Sequence, residues 1–329
     1  MGLFNGFKKR SLVRKGLDLY YRGEYKKSLE FFDKTLEHDP NDSEIWYNKG
    51  LALLNLKKSE NALKCFNKTL ELDPKHANAW QSKGIVLRDA GKYNESLEFF
   101  SKGLELKPKD AITWNNKGIA LEGLKNHEKA IECYNKALEF DPKYVEAWYN
   151  KGNALIELGR YENALKCYDM ALELNFNFFS AWHNKGNTFR CLGQYEKAIE
   201  CYDKTLELDS KHVNVWINKG NALKELEKYE EALECFNKAL KLDSDLFNAW
   251  FNKGDTLNYL KKYKEALESF DKTLELDPDN PKAWTYKGLT LILIEKNQEA
   301  LECFNKALEI DPDYEDAKRA KKELLSLDS

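Results

Sequence analysis

No apolar run in this 329-residue sequence is long enough to cross a bilayer; the most apolar stretch, Leu289 to Ile294, is a fraction of the length required. Net charge is also scarce. Lys+Arg totals 52 and Asp+Glu 55, a formal balance of -3, so no excess cation is available to neutralise phosphates and nucleic acid is not an expected partner. Met1–Phe7 lacks the apolar core of a secretory leader. Gly6 stands where an N-terminal lipidation signal needs Ser or Thr. Residues 1–8 are therefore expected to be a disordered lead-in, although Phe4, Phe7, Lys8, Lys9 and Arg10 offer a weak membrane-surface alternative. The seven Cys form no C-x-x-C pair and no Cys/His cluster of zinc spacing, so no metal is expected and a reducing, cytoplasmic setting is. The five His have no adjacent nucleophile, and no glycine-rich phosphate loop occurs. The chain is accordingly expected to be non-catalytic and to need no cofactor. At 42 % apolar residues it is too hydrophobic for a disordered polymer.

What is present is spaced with great regularity. The eight Trp (Trp46, Trp80, Trp114, Trp148, Trp182, Trp216, Trp250 and Trp284) stand 34 residues apart, and nine Gly from Gly16 to Gly288 keep the same step. A fixed period of this size signals a repeat array. With Trp at register position 4 and this Gly at position 8, nine repeats run 9–42, 43–76, 77–110, 111–144, 145–178, 179–212, 213–246, 247–280 and 281–314. Within repeat 5, Ala147, Trp148, Gly152 and Leu155 keep helical spacing; after Gly159 a second set follows, Tyr161, Ala164, Leu165, Tyr168, Ala171 and Leu172. The pattern is helix, turn, helix. Gly152 lacks a Cβ and lets a neighbouring helix approach, and Pro at position 32 stops the second helix.

Trp at 4, Gly at 8, Ala or Ser at 20, an aromatic at 24, a small residue or Thr at 27 and mostly Pro at 32 resemble the tetratricopeptide repeat family over residues 9–314. The resemblance implies an all-α protein: an α-solenoid of nine helix-turn-helix units in a right-handed superhelix, with first helices lining a concave groove. Residues 315–329, with Lys318 and Lys322 where Trp and Gly would fall, read as a C-terminal capping helix covering the last repeat through Ala317, Ala320, Leu324 and Leu325. Position 32 is Phe176, Ser210 and Ser244 in repeats 5 to 7, so those junctions are expected to be less sharply fixed.

The implied function is a non-catalytic protein–protein interaction scaffold that holds an extended peptide or partner protein in the groove. By the resemblance, positions 2, 5, 6, 9, 12 and 13 face it. Asn48, Asn116, Asn150, Asn184, Asn218 and Asn252 occupy position 6, and Asn153, Asn187 and Asn221 position 9. An amide offers two donors and an acceptor to a peptide backbone, and the row is similar to the Asn ladder in the repeat domain of O-GlcNAc transferase. Two readings of it stand: peptide-binding amides, or a family habit of bonding to neighbouring helices. Arg190 and Lys224 at position 12 attract acidic segments unless Glu157 and Glu225 neutralise them. The groove ends are apolar, with Leu17, Tyr20, Tyr21, Tyr47, Leu51 and Leu54 at one and Leu289, Ile292 and Leu293 at the other. These ends suit either a partner or assembly of the chain with itself, so a self-associating structural module is the alternative function and a homo-oligomer is open. Some family members clamp a C-terminal carboxylate with Lys at position 5; no repeat here has Lys there. Position 7, by contrast, is Lys in all nine repeats, which reads as a snorkelling scaffold residue with position-31 Asp residues as candidate partners.

Overall fold

Every 34-residue period folds as two helices because its apolar residues recur at helical spacing and are interrupted only at the turn and at the junction. The computed structural model describes residues 2–327, with side chains over 9–326. Among these there are nineteen helices and no strand: α1 (Gly2–Tyr21), α2 (Tyr25–His38), α3 (Ser43–Asn55), α4 (Ser59–Leu72), α5 (Ala77–Asp89), α6 (Tyr93–Leu106), α7 (Ala111–Gly123), α8 (His127–Phe140), α9 (Val145–Glu157), α10 (Tyr161–Leu174), α11 (Phe179–Cys191), α12 (Tyr195–Leu208), α13 (Val213–Glu225), α14 (Tyr229–Leu242), α15 (Phe247–Tyr259), α16 (Tyr263–Leu276), α17 (Pro281–Ile292), α18 (Asn297–Ile310) and α19 (Glu315–Leu327). Odd-numbered helices up to α17 are the first, and even-numbered helices the second, of each repeat. The chain divides into two compact units, residues 1–174 and 175–329. The backbone of the expected lead-in is helical from Gly2, as part of α1; the side chains of residues 1–8 lie outside the described residues.

The two helices of a repeat are locked by a glycine set against a ring. A Cβ on Gly152 would lie 2.6 Å from Cε1 of Tyr168, whose side chain is fully buried. The same pairing of position 8 with the position-24 aromatic recurs in all nine repeats. The turn then requires one residue with positive φ at position 15. Glycine supplies it at Gly23, Gly91, Gly159 and Gly193, whereas Lys57, Lys125, Glu227, Lys261 and Glu295 adopt it at φ 56–61° despite their Cβ.

Junctions between repeats are held by tryptophan. Each indole Nε1–H donates to the carbonyl six residues earlier, at 2.9 Å to Pro74, 3.0 Å to Pro142 and 2.8 Å to Pro108. Contrary to expectation, the junctions without proline are held equally well: Trp182 reaches Phe176 O at 2.8 Å, Trp216 reaches Ser210 O at 2.9 Å and Trp250 reaches Ser244 O at 2.8 Å. The bond needs a carbonyl, which any residue provides.

The position-7 lysines snorkel, but towards partners other than the position-31 aspartates. Lys49, Lys219 and Lys287 pair with Asp33, Asp203 and Asp271 on the second helix of the preceding repeat, at 2.6, 2.5 and 2.7 Å. Their ammonium groups also lie 5.1, 5.9 and 5.4 Å from the centres of Trp46, Trp216 and Trp284. Asp73, Asp141 and Asp209 at position 31 instead accept backbone N–H groups of their own turns. In α19, Ala317, Ala320 and Leu324 are buried against the last repeat, while Leu325 points outward at 49 % exposure.

Two outcomes follow for the first unit. Gly152→Ala gains about 0.5–1 kcal/mol of helix propensity but forces overpacking that costs about 1–3 kcal/mol. Its urea midpoint is expected to fall; an unchanged or raised midpoint would show that the Tyr168 ring yields freely. Lys125→Gly relieves a left-handed side-chain conformation worth about 1 kcal/mol. The same transition should therefore move to higher urea, and a loss of stability would contradict the strain.

Candidate functional site

Within each unit the first helices present their positions 5, 6, 9 and 12 side by side, and several of the polar residues there are paired, some across repeats and some within one. In the first unit Asn150 Nδ2 donates to Asn115 Oδ1 at 3.0 Å, and Tyr47 and Ser82 hydroxyls meet at 3.5 Å. Both contacts join position 5 of one repeat to position 6 of the next. Tyr168 OH donates to Asn153 Oδ1 at 2.8 Å. Asn116 is buried and takes a 2.5 Å bond from Arg88. Where position 9 is Ile119, the Tyr134 hydroxyl turns to the Glu122 carboxylate, and burial pushes that carboxyl above its usual range.

The second unit repeats this arrangement around a histidine. His183 Nε2 lies 3.2 Å from Asn218 Nδ2 and 3.4 Å from Asn187 Nδ2, so it accepts from amides. Asn218 Nδ2 also donates to Asn187 Oδ1 at 3.1 Å, and Tyr202 OH donates to the same oxygen at 2.8 Å. Burial, with His212 nearby, holds His183 below its ordinary pKa and so favours the neutral ring. Burial pushes the Tyr202 hydroxyl up to about 12, against the pull of Arg190 beside it. Lys224 is neutralised by Asp255 of the next repeat at 2.6 Å, rather than by Glu225.

Asn221 and Asn252 differ from the rest of the row. The residue that would donate to Asn221 is Phe236, where Asn153 and Asn187 have Tyr168 and Tyr202; the residue that would pair with Asn252 is Ile217, where Asn150 and Asn218 have Asn115 and His183. Asn48 in the first unit likewise follows an apolar position-5 residue, Val13. Among the described residues none of these three amides has a side-chain hydrogen-bond partner, and all are half-exposed. Asn184 is half-exposed and engaged.

The apolar ends are only partly open. Leu17 and Tyr20 pack beside buried Phe32, and Tyr47, Leu51 and Leu54 pack beside buried Phe66. Ile292 covers Leu291 and Phe304. Tyr21, Leu289 and Leu293 remain exposed, at 81, 40 and 54 %. The position-23 cysteines are buried, and burial raises the Cys133, Cys235 and Cys303 thiols to about 11; Cys191 alone is exposed. Among the described residues no group of three or more His, Cys, Asp or Glu is placed to hold a metal ion. No helix among them is long and apolar enough to cross a membrane.

Comparison with known proteins places this geometry in context. A model described as tetratricopeptide repeat matches residues 43–76, 111–144, 145–178, 247–280 and 281–314, and further tetratricopeptide repeat models match 177–245 and 65–98. No curated protein matches the sequence. Among solved structures, "YrrB: a TPR protein with an unusual peptide-binding site" is 30 % identical with TM-score 0.52, covering 58 % of this chain and 99 % of that one. The pilF protein of Pseudomonas aeruginosa is 19 % identical with TM-score 0.55, covering 66 % and 98 %. The APC/C Cut9–Hcn1 structure is 16 % identical with TM-score 0.54, covering 95 % and 75 %; these last two likenesses concern the fold. The register, the glycine–aromatic lock and the matched models agree: the chain belongs to the tetratricopeptide repeat family, whose helix-pair arrays serve as scaffolds for protein–protein interaction.

Proposed function

We propose that the chain binds an extended peptide, or an extended segment of a partner protein, along its first helices, without catalysing a reaction on it. The observation that carries this reading is the set of half-exposed amides without a side-chain partner, Asn221 and Asn252 in the second unit and Asn48 in the first, in a polar row whose other asparagines are engaged. A half-exposed amide with no protein partner is satisfied by water at little cost, and equally by a peptide N–H and C=O. The row therefore divides by role. Asn150, Asn187 and Asn218 tie repeats together and Asn153 holds the Tyr168 hydroxyl of its own repeat, while Asn221 and Asn252 face a ligand backbone. The 30 % identity to a protein described as peptide-binding supports the same class of ligand.

The division is tested by two variants of the full chain against a panel of capped peptides of about ten residues. Asn221→Ala with Asn252→Ala removes two bonds of about 1 kcal/mol each. Affinity should fall on the order of tenfold, with thermal unfolding shifted by less than about 0.5 kcal/mol. Asn218→Ala breaks contacts to His183 and Asn187 and is expected to cost about 1–2 kcal/mol of stability. Full affinity in the double variant, or a stable Asn218→Ala protein with binding abolished, would reverse the assignment.

A further inference from the structure

Departures from the register meet at one place in the first unit. Position 31 is Asp or Asn in every repeat except the third, where it is Lys107. Position 2 is polar or charged in every repeat except the fourth, where it is Ile112. Both line a cleft of ≈ 740 Å³ together with Tyr47, Asn78, Gln81 and Lys109. Its size is that of an ordinary ligand site. Its chemistry is uneven. Lys107 Nζ donates to Asn78 Oδ1 at 2.9 Å, which leaves the Asn78 NH2 to donate elsewhere. Lys109 has no ion-pair partner among the described residues. The nearby carboxylates are engaged: Asp110 accepts from the Thr113 hydroxyl, and Glu44 lies 3.3 Å from His76 Nε2. Ile112 is 53 % exposed.

We propose that this cleft docks an acidic, aliphatic segment of a partner protein. One or two Asp or Glu side chains of the segment meet Lys107 and Lys109, an adjacent Ile, Leu or Val lies on Ile112 and Pro108, and Asn78 and Gln81 bond the intervening backbone. Two cations without an ion-pair partner, against the single carboxylate of Asp110 in the lining, leave the cleft net positive and favour carboxylates by charge complementarity. The exposed isoleucine favours an apolar neighbour over a bare anion, because its burial removes apolar area from water. The proposal rests on the peptide-binding reading above and adds the chemistry of the ligand and a second place where it binds.

The test uses the full chain and a fluorescent peptide, capped at both ends, in which two Glu flank one Ile. Lys107→Asp and Ile112→Asn each install the residue that sibling repeats carry, so both variants are expected to fold, with circular dichroism as the check. Tighter binding of this peptide than of its Lys-for-Glu counterpart is expected, weakening with salt. Affinity should fall about tenfold in Lys107→Asp, where attraction becomes repulsion, and about fivefold in Ile112→Asn. Asn221→Ala with Asn252→Ala should leave it unchanged. Equal affinity for the basic peptide, or indifference to Lys107→Asp while another peptide still binds through Asn221 and Asn252, overturns the acidic site alone. Binding only of a peptide with a free C-terminal carboxylate, or of single-stranded RNA in its place, overturns it as well. Binding of no peptide anywhere removes both readings.

Discussion

The close approach of a bare glycine backbone to a buried ring is the contact on which the rest of each repeat depends. With no Cβ at position 8, the position-24 ring can lie where a methyl group would sit 2.5–2.9 Å away. The two helices are then held at one separation, and the small residues at positions 20 and 27 are buried behind the ring. Such contacts are local in sequence, sixteen residues apart, and each repeat makes its own. Repeated nine times, this contact produces a scaffold whose geometry is almost independent of what the outward positions carry.

That independence is visible at the junctions. Proline at position 32 looks like the device that fixes each one, yet Phe176, Ser210 and Ser244 hold the same indole bond as the prolines. A tryptophan donor and a backbone acceptor suffice, and the sequence at the acceptor is free to drift. The position-7 lysine adds a second tie: in repeats 2 and 4 to 9 its ammonium lies over the tryptophan of its own repeat, and Lys49, Lys117, Lys219 and Lys287 also reach Asp33, Ser101, Asp203 and Asp271 on the preceding second helix. These heads are about a fifth exposed on the lysine side, so their contribution is modest.

The fold was legible because period, glycine and tryptophan are properties of one helix pair. The partners of the polar residues were harder to read, since they depend on neighbours in other helices. Helical periodicity says that Lys49 and Asn218 share no face with distant residues of the chain; it does not say which residue of the preceding repeat stands opposite. Lys49 meets Asp33 rather than a position-31 aspartate, and Asn218 meets His183, thirty-five residues back. Nine asparagines therefore looked equivalent in sequence, although their surroundings are decided elsewhere, by Tyr168 and Tyr202 against Phe236 and by Asn115 and His183 against Ile217. Each of those residues was in plain view. Only the packing supplies the rule that connects them.

The same rule separates scaffold from site. A residue repeated in register performs the same job in every repeat, and its energy is spread along the array, so it cannot tell a ligand where to stop. A ligand is localised by whatever differs between repeats. In the second unit the difference is a subtraction: Phe236 and Ile217 withdraw the partners of Asn221 and Asn252 and leave two amides for something else. In the first unit it is a substitution: Lys107 reverses the charge at a junction and Ile112 exposes 53 % of its surface where its siblings are polar. Neither kind of change breaks the glycine–ring lock or the indole bond: Phe100, Tyr134, Trp114 and their partners are unaltered around the cleft, and Phe236, which lacks only the hydroxyl of Tyr168 and Tyr202, still sets its ring against Gly220. Recognition can therefore change repeat by repeat at almost no cost in stability, because the contacts that hold the array lie on residues that a ligand does not need to touch.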